Sequence, residues 1–143
     1  MEFTWLVFAL LSAIAAAFVA VFAKIGLTGI DANTATAIRA VIMAVFLFGV
    51  IVVQGKLENI PEILSNNKAL TFIVLSGVAG ALSWLFYFLA LQSGKVAQVA
   101  SIDRLSVVFA VVFAFLVLGE KINLTTGIGV AFITLGAIVI AVG

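Results

Sequence analysis

An aspartate and an arginine stand side by side, Asp103 and Arg104, inside an otherwise apolar run that reads AQVASIDRLSVVFAVVF over residues 97–113. A second arginine, Arg39, lies inside another apolar run. On an insertion scale an aspartate or arginine at the centre of a membrane helix costs about 2.5–3.5 kcal/mol, so such groups face protein, a watery cavity or one another. The chemistry open to them is that of a gate, a proton-coupling carboxylate or a substrate contact. The bland alternative is an ion pair that only orders helices. The arginines have a further one: a helical Cβ leans toward the N-terminus, and a long side chain there can snorkel to the nearer interface. Asp103 is too short for that. Arg104 is a poor partner for it, because consecutive helical residues point apart, which leaves Arg39 as the expected partner on another helix. Asp103 shares a helical face with Ser106, Ala110 and Ala114, a small, slightly polar stripe suited to protein or a cavity rather than lipid. Trp84 and Tyr87 stand one turn apart on a third run and share a face. Asp103, Arg39, Arg104, Tyr87, Trp84 and Ser106 are therefore the candidate substrate or coupling residues.

What the chain lacks narrows the chemistry further. It has no cysteine and no histidine, hence no disulfide, no thiolate metal site and no side chain with an unperturbed pKa near neutrality. Any proton coupling falls to a carboxylate. No phosphate-cradling glycine loop, metal-ligand set or nucleophile–base arrangement is visible, so the expectation is a protein that is not an enzyme, with no metal and no cofactor. A formal net charge of +1 gives no case for nucleic acid. Glu2, Asp31, Glu58 and Glu62 sit at chain ends or in loops and read as solvated surface.

The elements that must position the charged residues follow from composition. The chain has 143 residues, of which 66% are hydrophobic and 9% charged, with a mean hydropathy of +1.42. A soluble domain has roughly 45–50% apolar and about 25% charged residues. The reading is an all-α integral membrane bundle. A spanning helix needs about 20 mostly apolar residues, and five segments qualify, at about residues 3–23, 34–53, 69–91, 96–118 and 124–142 of a single domain covering 1–143. The first run has no basic leader or small-residue cleavage site before it and reads as a retained helix. Ala9, Ala13 and Ala17 form a small-residue stripe along it, the kind of face that lets another helix approach. Gly77, Gly80 and Gly127 thin the third and fifth helices and are expected to do the same. Residues 24–33 form a polar turn punctuated by Gly26 and Gly29. The longest loop, residues 54–68, holds the chain's one proline and a short interfacial helix near residues 61–64.

Five spans put the termini on opposite sides. Lys56, Lys68 and Lys121 fall on the N-terminal side; Lys24 and Lys95 fall on the other, with Arg39 and Arg104 just inside the membrane there. Orientation is set by an imbalance of Lys and Arg, and this distribution provides almost none, which leaves single and dual topology both open. There is also an internal echo. Residues 28–42 placed above residues 93–107 align Gly29 with Gly94, Ala32 with Ala97, Ala35 with Ala100 and Arg39 with Arg104, with Thr28/Ser93, Asn33/Gln98 and Thr36/Ser101 conservative. It reads as a weak hairpin repeat, helices one and two resembling three and four. Transport proteins are often built from repeats, with their sites where repeats meet.

FAKIGL at residues 22–27, AIRA at 37–40, FLALQSGKVAQVA at 88–100 and LGEKI at 118–122 together resemble the EamA domain of the drug/metabolite transporter superfamily. IDRLSVVFA at 102–110 is similar to the short, single-domain bacterial and archaeal members. The resemblance covers essentially the whole chain. It implies a secondary transporter of a small metabolite or drug-like solute in the cell membrane, the inner or plasma membrane, working by alternating access. Longer members carry two such five-helix domains in inverted orientation, so a five-helix chain implies a homodimer, most simply an antiparallel one, in the lipid bilayer. A non-transporting subunit that joins another transporter or a lipid-linked flippase is the alternative. Longer relatives often have a proline near Val107, which this chain lacks. Short relatives that export cationic drugs use a glutamate in helix one; there is no acid in residues 3–23, so that site does not carry over. A neutral, zwitterionic or anionic solute fits Arg39, Arg104 and Lys24 better.

Overall fold

The computed structural model describes residues 3–143; Glu2 lies outside them. The described residues contain no strand. Seven α-helices follow in order: α1 (Thr4–Gly26), α2 (Ala32–Val53), α3 (Ile60–Ser65), α4 (Asn67–Ser93), α5 (Val96–Asp103), α6 (Leu105–Phe113) and α7 (Leu124–Val142). Taking α5, α6 and the π-helical turn Ala114–Leu118 as one span, five segments are long and apolar enough to cross a membrane. Helix α3, preceded by a short 3-10 turn at Leu57–Asn59, is the small helix expected in the longest loop, with Pro61 in its first turn. Proline suits that position, since its missing N–H would have had no intrahelical partner.

The spans agree with the sequence reading to within three residues at their ends, and each difference has a local cause. Helix α1 runs on through Lys24 to Gly26 instead of stopping before them. Lys24 Nζ then donates to the Gly94 carbonyl at 2.9 Å, so the charged end of α1 is held at the turn that opens α5. The expected long turn is thereby shortened to residues 27–31, where Gly29 takes a left-handed φ of 73°. Helix α2 begins at Ala32 because Asp31 caps it. The Asp31 carboxylate accepts from the Thr34 amide at 2.7 Å and from the Thr34 hydroxyl at 2.8 Å. Asn123 caps α7 in the same way, through the Thr126 amide and hydroxyl at 2.7 and 2.9 Å.

The fourth span is not one α-helix. Ser101 Oγ donates back to the Ala97 carbonyl at 2.7 Å, a bond that tends to bend helices. The Arg104 amide bonds the Ser101 carbonyl, and the Val107 amide bonds the Arg104 carbonyl, both three residues back. The ladder tightens there and α5 stops at Asp103. The break occurs with no proline in the span. At its far end the span loosens into a π turn, closed where Gly119 adopts φ 70° and the Glu120 amide reaches the Ala114 carbonyl at 3.2 Å. A left-handed residue ending a helix is usually glycine, which has no Cβ to clash.

The chain forms two compact units. Of the described residues, one comprises 3–26 and 93–143 and the other 27–92. In the first, α5 and α6 pack on α7, and α1 meets α5; Gln98 Nε2 donates to the Ala141 carbonyl at 3.1 Å and ties α5 to the end of α7. In the second, Gln92 Nε2 donates to the Ile30 carbonyl at 3.0 Å, joining the end of α4 to the turn before α2. Little of any span is buried inside the chain, no more than 6% of its most apolar window. The stripe residues Ala9, Ala13 and Ala17 are exposed. A Cβ built at Gly77, Gly80 or Gly127 meets nothing within 4 Å. The close helix approach expected at these positions is not made within either unit.

The Asp31 cap has a pH signature. Its carboxyl lies below the ordinary carboxylate range because the Thr34 amide, and then the Thr34 hydroxyl, bond the charged form. A lowered folded-state pKa means stability that is present above the ordinary value, about 3.9, and lost as pH falls through the folded value. Exchange of the Thr34 amide, followed by mass spectrometry in detergent, is expected to accelerate beyond its intrinsic pH dependence only in that acid window. Asp31→Asn, which keeps an acceptor without the titration, should abolish the extra acceleration; an unchanged profile in this variant would assign it to another group.

Candidate functional site

The second unit holds the better-formed site. Its foundation is a row of aromatic residues on α4 at spacings of three and four, where helical side chains meet. Trp84 and Tyr87 stand edge-on with centroids 5.6 Å apart, and Trp84 and Phe88 likewise at 6.0 Å. Phe88 is buried and fixes the row against its own unit. Onto this row α2 lays Arg39. The guanidinium carbon lies 3.7 Å from the centroid of the Trp84 ring and 5.4 Å from that of Phe88. Stacking of this kind is worth about 0.5–1 kcal/mol when exposed and about 2 or more when desolvated. It answers in part the question posed by an arginine seven residues into an apolar helix: an aromatic face replaces water on one side of the cation.

Two bonds hold the helices in this register. The Gln92–Ile30 bond fixes one end of the pair, and the Arg39–Trp84 stack lies further along both helices in opposite senses, so α2 and α4 run antiparallel. Beyond the stack the backbones do not pack closely, and between them lies a cleft of about 640 Å³. Such a volume falls within the usual range for small-molecule sites. The cleft is amphiphilic along its length. Asn33, Thr36 and Arg39 supply polar groups near the start of α2, while Met43, Ala44 and Leu47 make the farther part apolar. On the opposing wall Trp84 and Leu85 stand at the polar end and Gly77 and Val78 at the apolar end. The open space at Gly77 and Gly80 is therefore the hollow of the cleft wall. Thr36 is buried, and its hydroxyl is already committed to the Ala32 carbonyl at 2.7 Å, which leaves Arg39, Asn33 and the indole N–H of Trp84 as the side-chain polar groups able to meet a ligand.

The first unit holds the remaining candidates. Arg104 and Ser101 line a smaller cleft of about 230 Å³ against Phe132, Ile133, Gly136, Ala137 and Ile140 of α7. Asp103 and Arg104 are exposed, and so are Ser106 and Ala110, while Ala114 is half-buried, so most of the stripe expected to face protein or a cavity has no cover within its own unit. The structure thus brings Arg39, Trp84 and Tyr87 together in one unit and gathers Asp103, Arg104 and Ser106 at the helix break in the other. The sequence reading missed Phe88, which stands four residues beyond Trp84, and the clasp made by Gln92. The spacing of Phe88 was a sufficient signal; that of Gln92 was not, because a glutamine in a turn has many possible partners. No group of three or more potential acidic, histidine or cysteine metal ligands occurs among the described residues.

The stack predicts a coupling energy. In a double-mutant cycle of Arg39→Met and Trp84→Leu, followed by unfolding of the purified protein in detergent, the pair is expected to couple by about 0.5–2 kcal/mol. Additivity within error would mean that the contact contributes nothing to stability.

The family model for the EamA-like transporter family matches residues 3–142. An "uncharacterized transporter in cobO 3'region" from a Sinorhizobium species is 43% identical over 142 residues, covering 99% of each chain. No solved structure matches the chain.

Proposed function

The chain belongs to the EamA-like transporter family, and from that premise we propose that it is a secondary transporter of a small metabolite or drug-like solute, working by alternating access between two copies of itself in the cell membrane. As a family member with five helices able to span a bilayer, it is a multi-pass membrane protein. The observation that carries the transport reading is the cleft between α2 and α4. It has the volume of a metabolite site, and its one charged lining group sits inside a membrane span. Two further features support a dimer. The small-residue positions of α1 and α7 have no covering helix within their own unit. The basic residues are nearly balanced between the two sides, as an antiparallel pair requires. Asp103 and Ser106, exposed in one chain, are then available to the path between copies, and Asp103 is the carboxylate assigned to proton coupling.

Three measurements test this. A ligand-stabilisation screen over amino acids, organic acids and drug-like amines identifies solutes that raise the melting temperature, since a ligand of the native state raises apparent stability; those solutes should then cross liposomes that contain only this chain. Flux that appears only when a second membrane protein is added would favour the partner-subunit alternative. Asp103→Asn is expected to fold and to lose most of the dependence of flux on a pH gradient, and retention of that dependence removes Asp103 from the coupling role. For the dimer, reporters fused at the C-terminus should signal from both sides of the membrane; signal from one side only rules out antiparallel assembly. The absence of cysteine makes single introduced thiols on α1 usable as a second, cross-linking check.

A further inference from the structure

We propose that the cleft between α2 and α4 is a site for a small organic anion, a carboxylate with an apolar body, whose carboxylate is taken by Arg39. The inference deepens the transport reading by naming its substrate class. It begins with the way Arg39 is held. A guanidinium carries five N–H donors, all in its plane. Stacking on Trp84 at 3.7 Å occupies one face of that plane and leaves the edge donors for an acceptor. The fork of parallel donors matches a carboxylate in bidentate fashion, and such charge-assisted pairs are among the strongest hydrogen bonds available. Phe88, 5.4 Å from the same group, and the Gln92–Ile30 clasp further restrict the arginine, so much of the ordering cost is met before a ligand arrives.

The rest of the cleft describes the ligand's other end. Past Arg39 the walls are Met43, Ala44 and Leu47 on one side and Gly77 and Val78 on the other. They provide no second charge and no donor. A carboxylate held at Arg39 would direct its body along this apolar half, into the hollow left by Gly77 and Gly80. A cationic solute would place its charge beside a guanidinium or in hydrocarbon, and both are unfavourable. An anionic lipid could offer the same oxyanion chemistry. Arg39, however, lies seven residues into α2, about 10 Å along the axis at 1.5 Å per residue, deeper than a headgroup sits when the start of the helix marks the interface. A free solute is the occupant assigned.

The test uses Trp84 as its own reporter. The chain has two tryptophans, and Trp5→Phe leaves Trp84 as the single emitter. The full-length protein in phosphatidylcholine nanodiscs is titrated with straight-chain carboxylates from butyrate to octanoate, and with the matching amides and amines. Carboxylates should change Trp84 emission saturably, whereas amides and amines should bind at least tenfold more weakly. Arg39→Lys keeps the charge but loses the planar fork, and should weaken carboxylate binding by at least tenfold. Arg39→Gln should remove it. Gly80→Leu fills the hollow from the opposite wall and should remove binding without lowering the melting temperature, which keeps the proposal testable if Arg39→Gln does not fold. Equal responses to amide and carboxylate, no saturable response to any carboxylate, or unchanged affinity in both Arg39 variants would overturn the assignment. Loss of the response when phosphatidylglycerol is included would assign the site to a lipid headgroup instead. The outcome is separable from transport itself. Carboxylate binding without flux in liposomes defeats the transport reading and leaves the site, whereas flux of a solute that is indifferent to Arg39→Gln defeats the site and leaves transport.

Discussion

A guanidinium set inside an apolar helix must be covered by something other than bulk water, and in this protein the cover is the Trp84 ring. Much in the second unit follows from that requirement. An aromatic residue must stand opposite Arg39, so α4 carries Trp84 at that level, with Tyr87 and Phe88 one turn on to hold the indole edge-on. For the stack to persist, α2 and α4 must keep their register, and the Gln92–Ile30 bond fixes it from the nearer end. With register fixed near Arg39 and small residues on α4 farther along, the helices enclose space rather than closing on it. The cleft is thus the consequence of covering a charge at one end while thinning the wall at the other.

The same economy of polar groups runs through part of the rest of the chain. Hydrocarbon supplies no hydrogen-bond partners, so a hydroxyl in a spanning helix can turn back on its own backbone. Thr36, Thr71, Ser101 and Thr134 do so, each bonding the carbonyl four residues earlier, at 2.7, 2.8, 2.7 and 2.8 Å. Helix starts are satisfied by Asp31 and Asn123 from just outside the spans. Arg39, Arg104, Asp103, Asn33 and Ser106 are among the side chains not spent in this way. Apolar contact gives helices in lipid little reason to associate, since the tails are equally apolar, so uncovered small-residue faces and unspent polar groups are what a second copy or a solute can recognise.

The spans, their number and the small helix of the longest loop were legible in the sequence because each rests on a long-range average of hydropathy or on a proline in a first turn. Trp84 and Tyr87 were legible as a shared face because helical spacing fixes it. The placement of Arg39 on Trp84 was only half legible. Both residues read as members of one polar cluster, but a helical projection does not say which ring a guanidinium will meet across a gap. The break after Asp103 was hidden for a related reason. No proline or glycine marks it, and it depends on a serine choosing a backbone carbonyl and on two amides shifting to partners three residues back.

The internal echo bears on how the two arginines are placed. Thr36 and Ser101 correspond in the alignment, and each bonds the carbonyl of the corresponding alanine, Ala32 or Ala97, at the same 2.7 Å. Arg39 and Arg104 correspond too, and each lines a cleft against the following long helix of its own unit. Local geometry is therefore shared up to the arginine. Past it the two diverge: Arg39 continues an unbroken helix and meets an aromatic platform, whereas Arg104 stands where α5 ends, exposed, beside a cleft about a third the size and lined by Phe132, Gly136 and aliphatic residues of α7. A guanidinium immobilised on a ring is suited to holding a ligand in one orientation. One at a helix break, next to a carboxylate in sequence, is suited to changing partners. Positions that correspond in the echo thus have different surroundings, one guanidinium stacked on a ring and the other exposed at a helix break.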